Sequence, residues 1–281
     1  MKNKVVLIGC GNVGMSYAYA LLNQKTYVDE LALIDLDEER VMGEVMDLNH
    51  CLAYSPSKMK IYKGNYSDCH DASLVVIAAG ANQEVGETRM DLIHKNSRIF
   101  KTIVTSVMEN GFDGIFLVAS NPLDVMTQLV LRYSSFPKNR VIGSGTTLDT
   151  ARLKYLLSEK VEVNPKDIEC FVMGEHGDSE FIPWSLVSIA GKSIDAFVSR
   201  EEMESLEESV RLSAYEIIKR KGATFYGIGM SYDEENVVCI STPAILGKSG
   251  AEKIFIPLKR EEEEKLKTSI NVIKEALERI D

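Results

Sequence analysis

The chain has 281 residues, 45% hydrophobic and 26% charged, which fits about two soluble domains and excludes a disordered or collagen-like chain. Thirty-two Lys and Arg against 42 Asp and Glu give a net charge of −10, which repels phosphate backbones and anionic lipid, so nucleic acid and membrane surfaces are poor partners. The five cysteines (Cys10, Cys51, Cys69, Cys170, Cys239) form no C-x-x-C, no apolar stretch approaches the ~20 residues that span a bilayer, and no signal peptide opens the chain. The expectation is a cytoplasmic protein with neither a disulfide framework nor a metal site.

In chain order, residues 4–8, 31–34, 74–78 and 114–118 are short apolar runs without polar alternation, the pattern of buried parallel strands. Between them, residues 13–24, 38–51, 90–110 and 123–133 carry helical periodicity, and 141–142 makes a last short strand. This alternation predicts an α/β fold with a doubly wound parallel sheet over residues 1–145. The rhythm then changes. Helices are expected at 149–160, 201–221 and 260–280, with strands at 167–173, 186–190, 237–240 and 251–256, so residues 146–281 read as an α+β domain. The acidic run 261–264 fits the first turn of the last helix, where the helix dipole favours negative charge.

Gly9-Cys10-Gly11-Asn12-Val13-Gly14 follows the first strand and opens the first helix. In that context the glycines allow a tight turn, close backbone approach to a pyrophosphate and close helix–sheet packing. The helix N-terminus offers free N–H groups to the anion. Asp35 ends the next strand, where a carboxylate takes both hydroxyls of an adenosine ribose and repels a 2′-phosphate. The cofactor expected is NAD rather than NADP.

Of four histidines only His176 is flanked by two glycines, in Gly174-Glu175-His176-Gly177-Asp178. Imidazole suits general acid–base work near neutral pH, and a carboxylate partner fixes its tautomer. From spacing alone, His176 reads equally well as a surface-loop histidine. A third cluster, Gly86-Glu87-Thr88-Arg89, follows a strand whose carboxyl end faces the ligand side of such sheets. With Gly80 and Gly86 as hinges that loop reads as a lid carrying the Arg89 guanidinium, or else Arg89 is a surface cation at a helix start.

Taken in order, Gly9–Gly14, Asp35, Gly80–Arg89, Ser120-Asn121-Pro122, Gly145–Arg152, Gly174–Asp178 and Gly222-Ala223-Thr224 resemble the L-lactate/malate dehydrogenase superfamily, most closely its bacterial L-lactate branch, over nearly the whole chain. The resemblance implies a Rossmann-type sheet followed by an α+β substrate domain, and hydride exchange between NAD and a small 2-hydroxy acid. It implies His176 as the acid–base, Asp149 as its orienting carboxylate and Arg89 as the residue that polarises the carbonyl. Arg152 matches the clamp on the substrate carboxylate, with Asn121 and Thr224 as further substrate contacts. Gly9, Gly11, Val13, Gly14, Asp35, Arg40, Tyr66, Gly80, Ala81, Thr102, Ala119, Ser120, Asn121 and Ser144 match cofactor positions.

Gln83 stands where malate-specific members carry Arg, so a second substrate carboxylate would be left unpaired in the closed site. Pyruvate and L-lactate are therefore favoured over malate, with a bulkier L-2-hydroxy acid as runner-up. A catalytically silent dinucleotide-binding protein is the alternative from another class. Lys154 and Glu169 stand where bacterial members bind fructose 1,6-bisphosphate, and the Glu169 anion argues against that effector. The resemblance also implies a homotetramer. After Ser231, however, the chain lacks a helix–strand segment that the family carries, and residues 199–206 are short, so a weakened oligomer is expected.

Overall fold

A computed structural model describes residues 3–81, 89–230 and 240–280. The first half alternates β1 (Lys4–Ile8), α1 (Asn12–Asn23), β2 (Glu30–Ile34), α2 (Glu38–Cys51), β3 (Lys60–Lys63), β4 (Leu74–Ile77), α3 (Arg89–Glu109), β5 (Ile115–Val118), α4 (Leu123–Ser134) and β6 (Val141–Gly143). The six strands form one parallel sheet in the order β3-β2-β1-β4-β5-β6. Successive side chains of a strand point to opposite faces. Val6, Ile8, Val75, Ile77, Phe116 and Val118 therefore meet Phe100, Val104 and Val107 of α3 and Met126 and Leu129 of α4. Val5, Leu7, Leu31, Leu33, Val76 and Leu117 meet Tyr17 and Leu22 of α1 and Val41 and Leu48 of α2. Both faces are covered, which is why the strand sequences show no polar alternation.

The chain continues through α5 (Thr147–Val161), β7 (Ile168–Glu169), β8 (Ser188–Ile189), β9 (Lys192–Ser193), α6 (Arg200–Lys221), α7 (Tyr226–Met230), β10 (Ala244–Gly247), β11 (Gly250–Lys253) and α8 (Arg260–Glu278). β7, β8 and β9 form a small antiparallel sheet. A separate core joins Leu153 and Leu157 of α5, Ile168 and Ile189 of the small sheet, and Met203, Leu206 and Val210 of α6. The β10–β11 hairpin returns to the first sheet through Leu246 and Ala251, and the end of α8 through Ala276, Leu277 and Ile280.

Several sequence-based expectations are corrected. β3 was not foreseen: it is an edge strand in which only Ile61 is buried, so it lacks the continuous apolar signature of its neighbours. The strand expected at 167–173 shrinks to Ile168–Glu169. Val172 leaves the ladder because its N–H donates to Thr150 Oγ1 at 2.9 Å and its carbonyl accepts from Thr146 Oγ1. Met173 instead makes an isolated bridge with Phe181. The strand at 186–190 shortens to Ser188–Ile189, and that at 251–256 becomes Gly250–Lys253, paired with an unforeseen β10. Of the strand expected at 237–240, only Ile240 is among the described residues. The shortened stretch after Ser231 lies outside them. The acidic run does open α8, where Glu262 accepts from the Lys259 and Ser185 backbone N–H groups at 2.8 and 3.0 Å.

Candidate active site

The carboxyl edge of the parallel sheet is where strand ends splay and backbone groups become free for ligands. Gly9 leaves β1 with φ +105°, and a Cβ there would collide with the Ala78–Ala79 backbone. A Cβ on Gly14 would collide with the Gly9 carbonyl oxygen. Gly11 differs: nothing stands within 4 Å of its Cβ position, and it caps α1 without a side-chain hydrogen bond. The first turn of α1, with half-buried Val13, thus presents its N–H groups at a cradle that any larger residue at Gly11 would narrow. Asp35 ends β2 against this turn, its Oδ2 accepting from the Cys10 N–H at 2.7 Å. Arg40 lies in the first turn of α2, where its Nε is 3.6 Å from Glu44. Tyr66 is half-buried in a short turn after β3, and Thr102 lies on the exposed side of α3.

The exits of β4, β5 and β6 are bound to one another. Ala119 N–H reaches the Ile77 carbonyl and Ser144 N–H the Val118 carbonyl, each at 2.9 Å. Ser120 Oγ donates to the Ala79 carbonyl at 2.6 Å. Buried Asn96 of α3 accepts from the Ala81 N–H at 2.8 Å, next to Gly80, and donates to the Asn121 carbonyl at 2.9 Å. The Asn121 side chain is left exposed at this edge. Arg89 is the first residue of α3. Gln83 lies outside the described residues.

The chemistry gathers where α5 begins. Asp149 is 1% exposed, its Oδ2 is 2.6 Å from His176 Nδ1, and its Oδ1 accepts from Arg152 at 2.6 Å. Arg152 lies one turn along the same helix, and its Nε is buried with no hydrogen-bond partner among the described residues. A guanidinium with an unused buried N–H is suited to an anionic ligand. Thr224 is half-buried between α6 and α7. α7 bridges the two halves of the site: a Cβ on Gly227 would meet Leu148 of α5, and one on Gly229 would meet Ser16 of α1, at 2.6 and 2.7 Å.

Burial disfavours the imidazolium of His176, but the charge of Asp149 and the hydrogen bond to it outweigh that and raise the group to about 9. Burial alone would likewise push Asp149 up; His176 and then Arg152 hold it below the usual carboxylate range. At neutral pH the pair is therefore an imidazolium beside a carboxylate, and Nε2 has no hydrogen-bond partner among the described residues.

Sequence reasoning missed three residues here. Asp124 of α4, 3% exposed, accepts from the His176 backbone N–H at 2.8 Å, while its Oδ1 has no hydrogen-bond partner among the described residues. Burial raises it to about 7. Asn96 ties the β4 and β5 exits together. Glu180, 8% exposed, joins Asp149 and His176 in a cluster whose polar atoms lie within 4.8 Å of one another. The one available signal was the Glu180 position, four residues beyond His176, since the other partners are distant in sequence.

A glycine cradle for a dinucleotide at the sheet edge, with α7 linking its helix to the helix that carries a half-buried histidine's carboxylate partner and an arginine, defines a dehydrogenase acting on small hydroxy acids. Residues 3–143 match the family model of the lactate/malate dehydrogenase NAD binding domain, and residues 146–235 that of the lactate/malate dehydrogenase alpha/beta C-terminal domain. The chain belongs to the lactate/malate dehydrogenase family. It is 45% identical to an L-lactate dehydrogenase of Oceanobacillus iheyensis, over 97% of this chain and 94% of that one. It is 47% identical to an L-lactate dehydrogenase of Macrococcus caseolyticus, over 97% and 96%. Among solved structures, a lactate dehydrogenase from a Medee basin deep-sea metagenome library superposes with a TM-score of 0.94 at 44% identity, covering 100% of this chain and 99% of that one. The match to the Oceanobacillus protein spans 303 aligned positions against 281 residues here, so that relative has residues with no counterpart in this chain.

Proposed function

We propose that the protein is an NAD-dependent L-lactate dehydrogenase that interconverts pyruvate and L-lactate. The observation that carries this reading is the His176–Asp149 pair at 2.6 Å, with Arg152 on the other Asp149 oxygen. NADH, when bound, would supply the hydride for the carbonyl carbon. His176 Nε2 gives the proton to the carbonyl oxygen and takes it back in the reverse direction. Asp149 holds the ring in one tautomer and stabilises its cation. Arg152 takes the substrate carboxylate through its free N–H, and Arg89 polarises the carbonyl as the 80–89 loop excludes water. Asn121 and Thr224 complete the substrate contacts. Gly9, Gly11, Gly14 and Asp35 would hold the pyrophosphate and adenosine ribose, and Ala119, Ser120 and Ser144 would flank the nicotinamide. Arg40, Tyr66 and Thr102 make peripheral cofactor contacts. Residues 1–145 form the cofactor domain and 146–281 the substrate domain of a cytoplasmic homo-oligomer.

Neutral Gln83 supports pyruvate over a dianionic oxo acid. The test is NADH oxidation followed with pyruvate, with oxaloacetate and with a branched 2-oxo acid. Pyruvate is expected to give the highest kcat/KM, and Gln83→Arg to shift preference toward oxaloacetate. NADH binding without turnover of any of them would instead identify a silent dinucleotide-binding protein.

A further inference from the structure

The histidine loop is closed at its base by Met173 and Phe181, whose N–H and carbonyl groups exchange two hydrogen bonds of 2.9 Å. Within the loop the Glu180 N–H reaches back to the Gly177 carbonyl at 3.2 Å. This closure brings the side chains of His176 and Glu180 to the same carboxylate, Asp149, with the polar atoms of all three within 4.8 Å of one another. A Glu180 carboxyl oxygen thus stands within 4.8 Å of an Asp149 carboxylate oxygen and of a His176 ring nitrogen, with Arg152 on the other Asp149 oxygen. Asp124 faces His176 from α4. Glu175 of the same loop accepts from Ser179 Oγ at 2.6 Å.

Two buried carboxyls this close repel unless one of them carries a proton, and with one proton they can share a hydrogen bond. Asp149 already accepts from two cationic partners, Arg152 and His176, so it is the group that stays ionised. The proton then belongs to Glu180, which is nearly buried and has its neutral form favoured by desolvation. We propose that Glu180 is a positioning residue that works as a neutral carboxylic acid, donating a hydrogen bond to Asp149 and so weakening the hold of Asp149 on the His176 imidazolium. The inference rests on the reading of His176 as the proton donor. Its chemical sense is that a catalytic acid that must also act as a base cannot hold its proton too tightly. Charge drawn from Asp149 toward Glu180 is charge not spent on the imidazolium.

The same arrangement accounts for the direction in which Glu180 moves: burial first, then the Asp149 charge, push its carboxyl well above the usual carboxylate range.

The test compares Glu180→Gln and Glu180→Leu with the parent in the pH dependence of kcat/KM for pyruvate reduction. Gln places an N–H donor near Asp149 and is expected to keep the parent midpoint. Leu removes the donor, leaves Asp149 wholly to His176 and Arg152, and is expected to raise the midpoint by about one unit, the shift expected from losing one charge-assisted hydrogen bond shared over the triad. Lactate oxidation at neutral pH, which needs neutral imidazole, should then fall several-fold. A midpoint lowered in both variants would mean that Glu180 acts as an anion and overturns the proposal. A midpoint that Leu leaves in place would reduce Glu180 to a packing residue and overturns it equally. If Glu180→Leu does not fold, parent-minus-Glu180→Gln infrared spectra at neutral pH decide: a carbonyl stretch of a protonated carboxyl supports the proposal, and its absence refutes it. That spectrum needs no turnover, so a band without pyruvate reduction would sink the assigned activity and leave the protonated Glu180 standing.

Discussion

His176 owes its proton affinity to Asp149, and two consequences follow at the scale of single residues. His176→Ala removes the proton donor without touching the cradle at Gly11 and Asp35, so turnover should fall by about 10²–10⁴ while NADH affinity stays within twofold. Stopped-flow turnover with fluorescence titration of NADH checks this, and a parallel loss of affinity would make the histidine structural. The second consequence is in pH. The folded value of about 9 lies above the ordinary 6.5, so the protonated ring is stabilised by folding. That contribution is fully present below about 6.5 and is lost as pH rises through about 9. Pyruvate reduction should hold through neutral pH and decline above about 9, lactate oxidation should rise over the same interval, and the urea midpoint of the parent should converge on that of His176→Gln. A reduction rate already halved at pH 7 would contradict the pair as described. His176 was visible in the sequence through its flanking glycines, whereas Asp149 was visible only through the family resemblance. Asp124 and Glu180 were not identified, because their roles depend on contacts with the His176 backbone and with Asp149, and only the closeness of Glu180 to His176 in sequence hints at either.

At the scale of elements, the legible parts were those whose environment is uniform. β1, β2, β4 and β5 are covered on both faces and read as unbroken apolar runs, and α2 was bounded to the residue because Asp37 caps it by accepting from the Arg40 N–H at 3.0 Å. β3 was obscure because only Ile61 of this edge strand is buried, and the β7–β9 sheet because its pairing is short and a side-chain bond from α5 takes up the Val172 N–H. The same logic identifies Asn96 as the clamp of the sheet edge. It is 1% exposed and joins α3, the β4 exit and the β5 exit through two hydrogen bonds. Asn96→Ala leaves the Ala81 N–H and the Asn121 carbonyl without their partner, at a cost of about 1 kcal/mol for each part-buried hydrogen bond. The expected outcome is a lowered Tm together with NADH binding weakened about tenfold, measured by calorimetry. A lowered Tm with unchanged NADH affinity would show that the clamp serves the core alone.

At the scale of the molecule, five large apolar side chains stand exposed on adjacent helices: Tyr19 of α1, Met42 and Met46 of α2, Tyr226 and Met230 of α7. α1 and α2 cover one face of the sheet, and α7 lies against α1 at Ser16 and Gly229. Apolar surface gathered in this way marks a protein–protein contact more often than a solvated face. A second copy of the chain is the occupant that the family resemblance implies. Yet the Oceanobacillus relative carries residues with no counterpart here, and the family resemblance implies one loss after Ser231, next in sequence to α7. A lost helix withdraws several side chains worth about 1.5–3 kcal/mol each when buried. Each 1.4 kcal/mol removed from a contact weakens it about tenfold. The expected assembly is therefore a homo-oligomer that dissociates in the micromolar range. Its activity should rise with protein concentration if a second copy seated on this surface supports α7, which bridges the cofactor helix and the catalytic helix. Sedimentation velocity across a hundredfold dilution, with specific activity measured at each point, tests both halves. Met46→Glu places a charge on the surface and should shift the equilibrium toward monomer at every concentration. A concentration-independent tetramer with constant specific activity would show that the shortened segment contributes nothing to this contact.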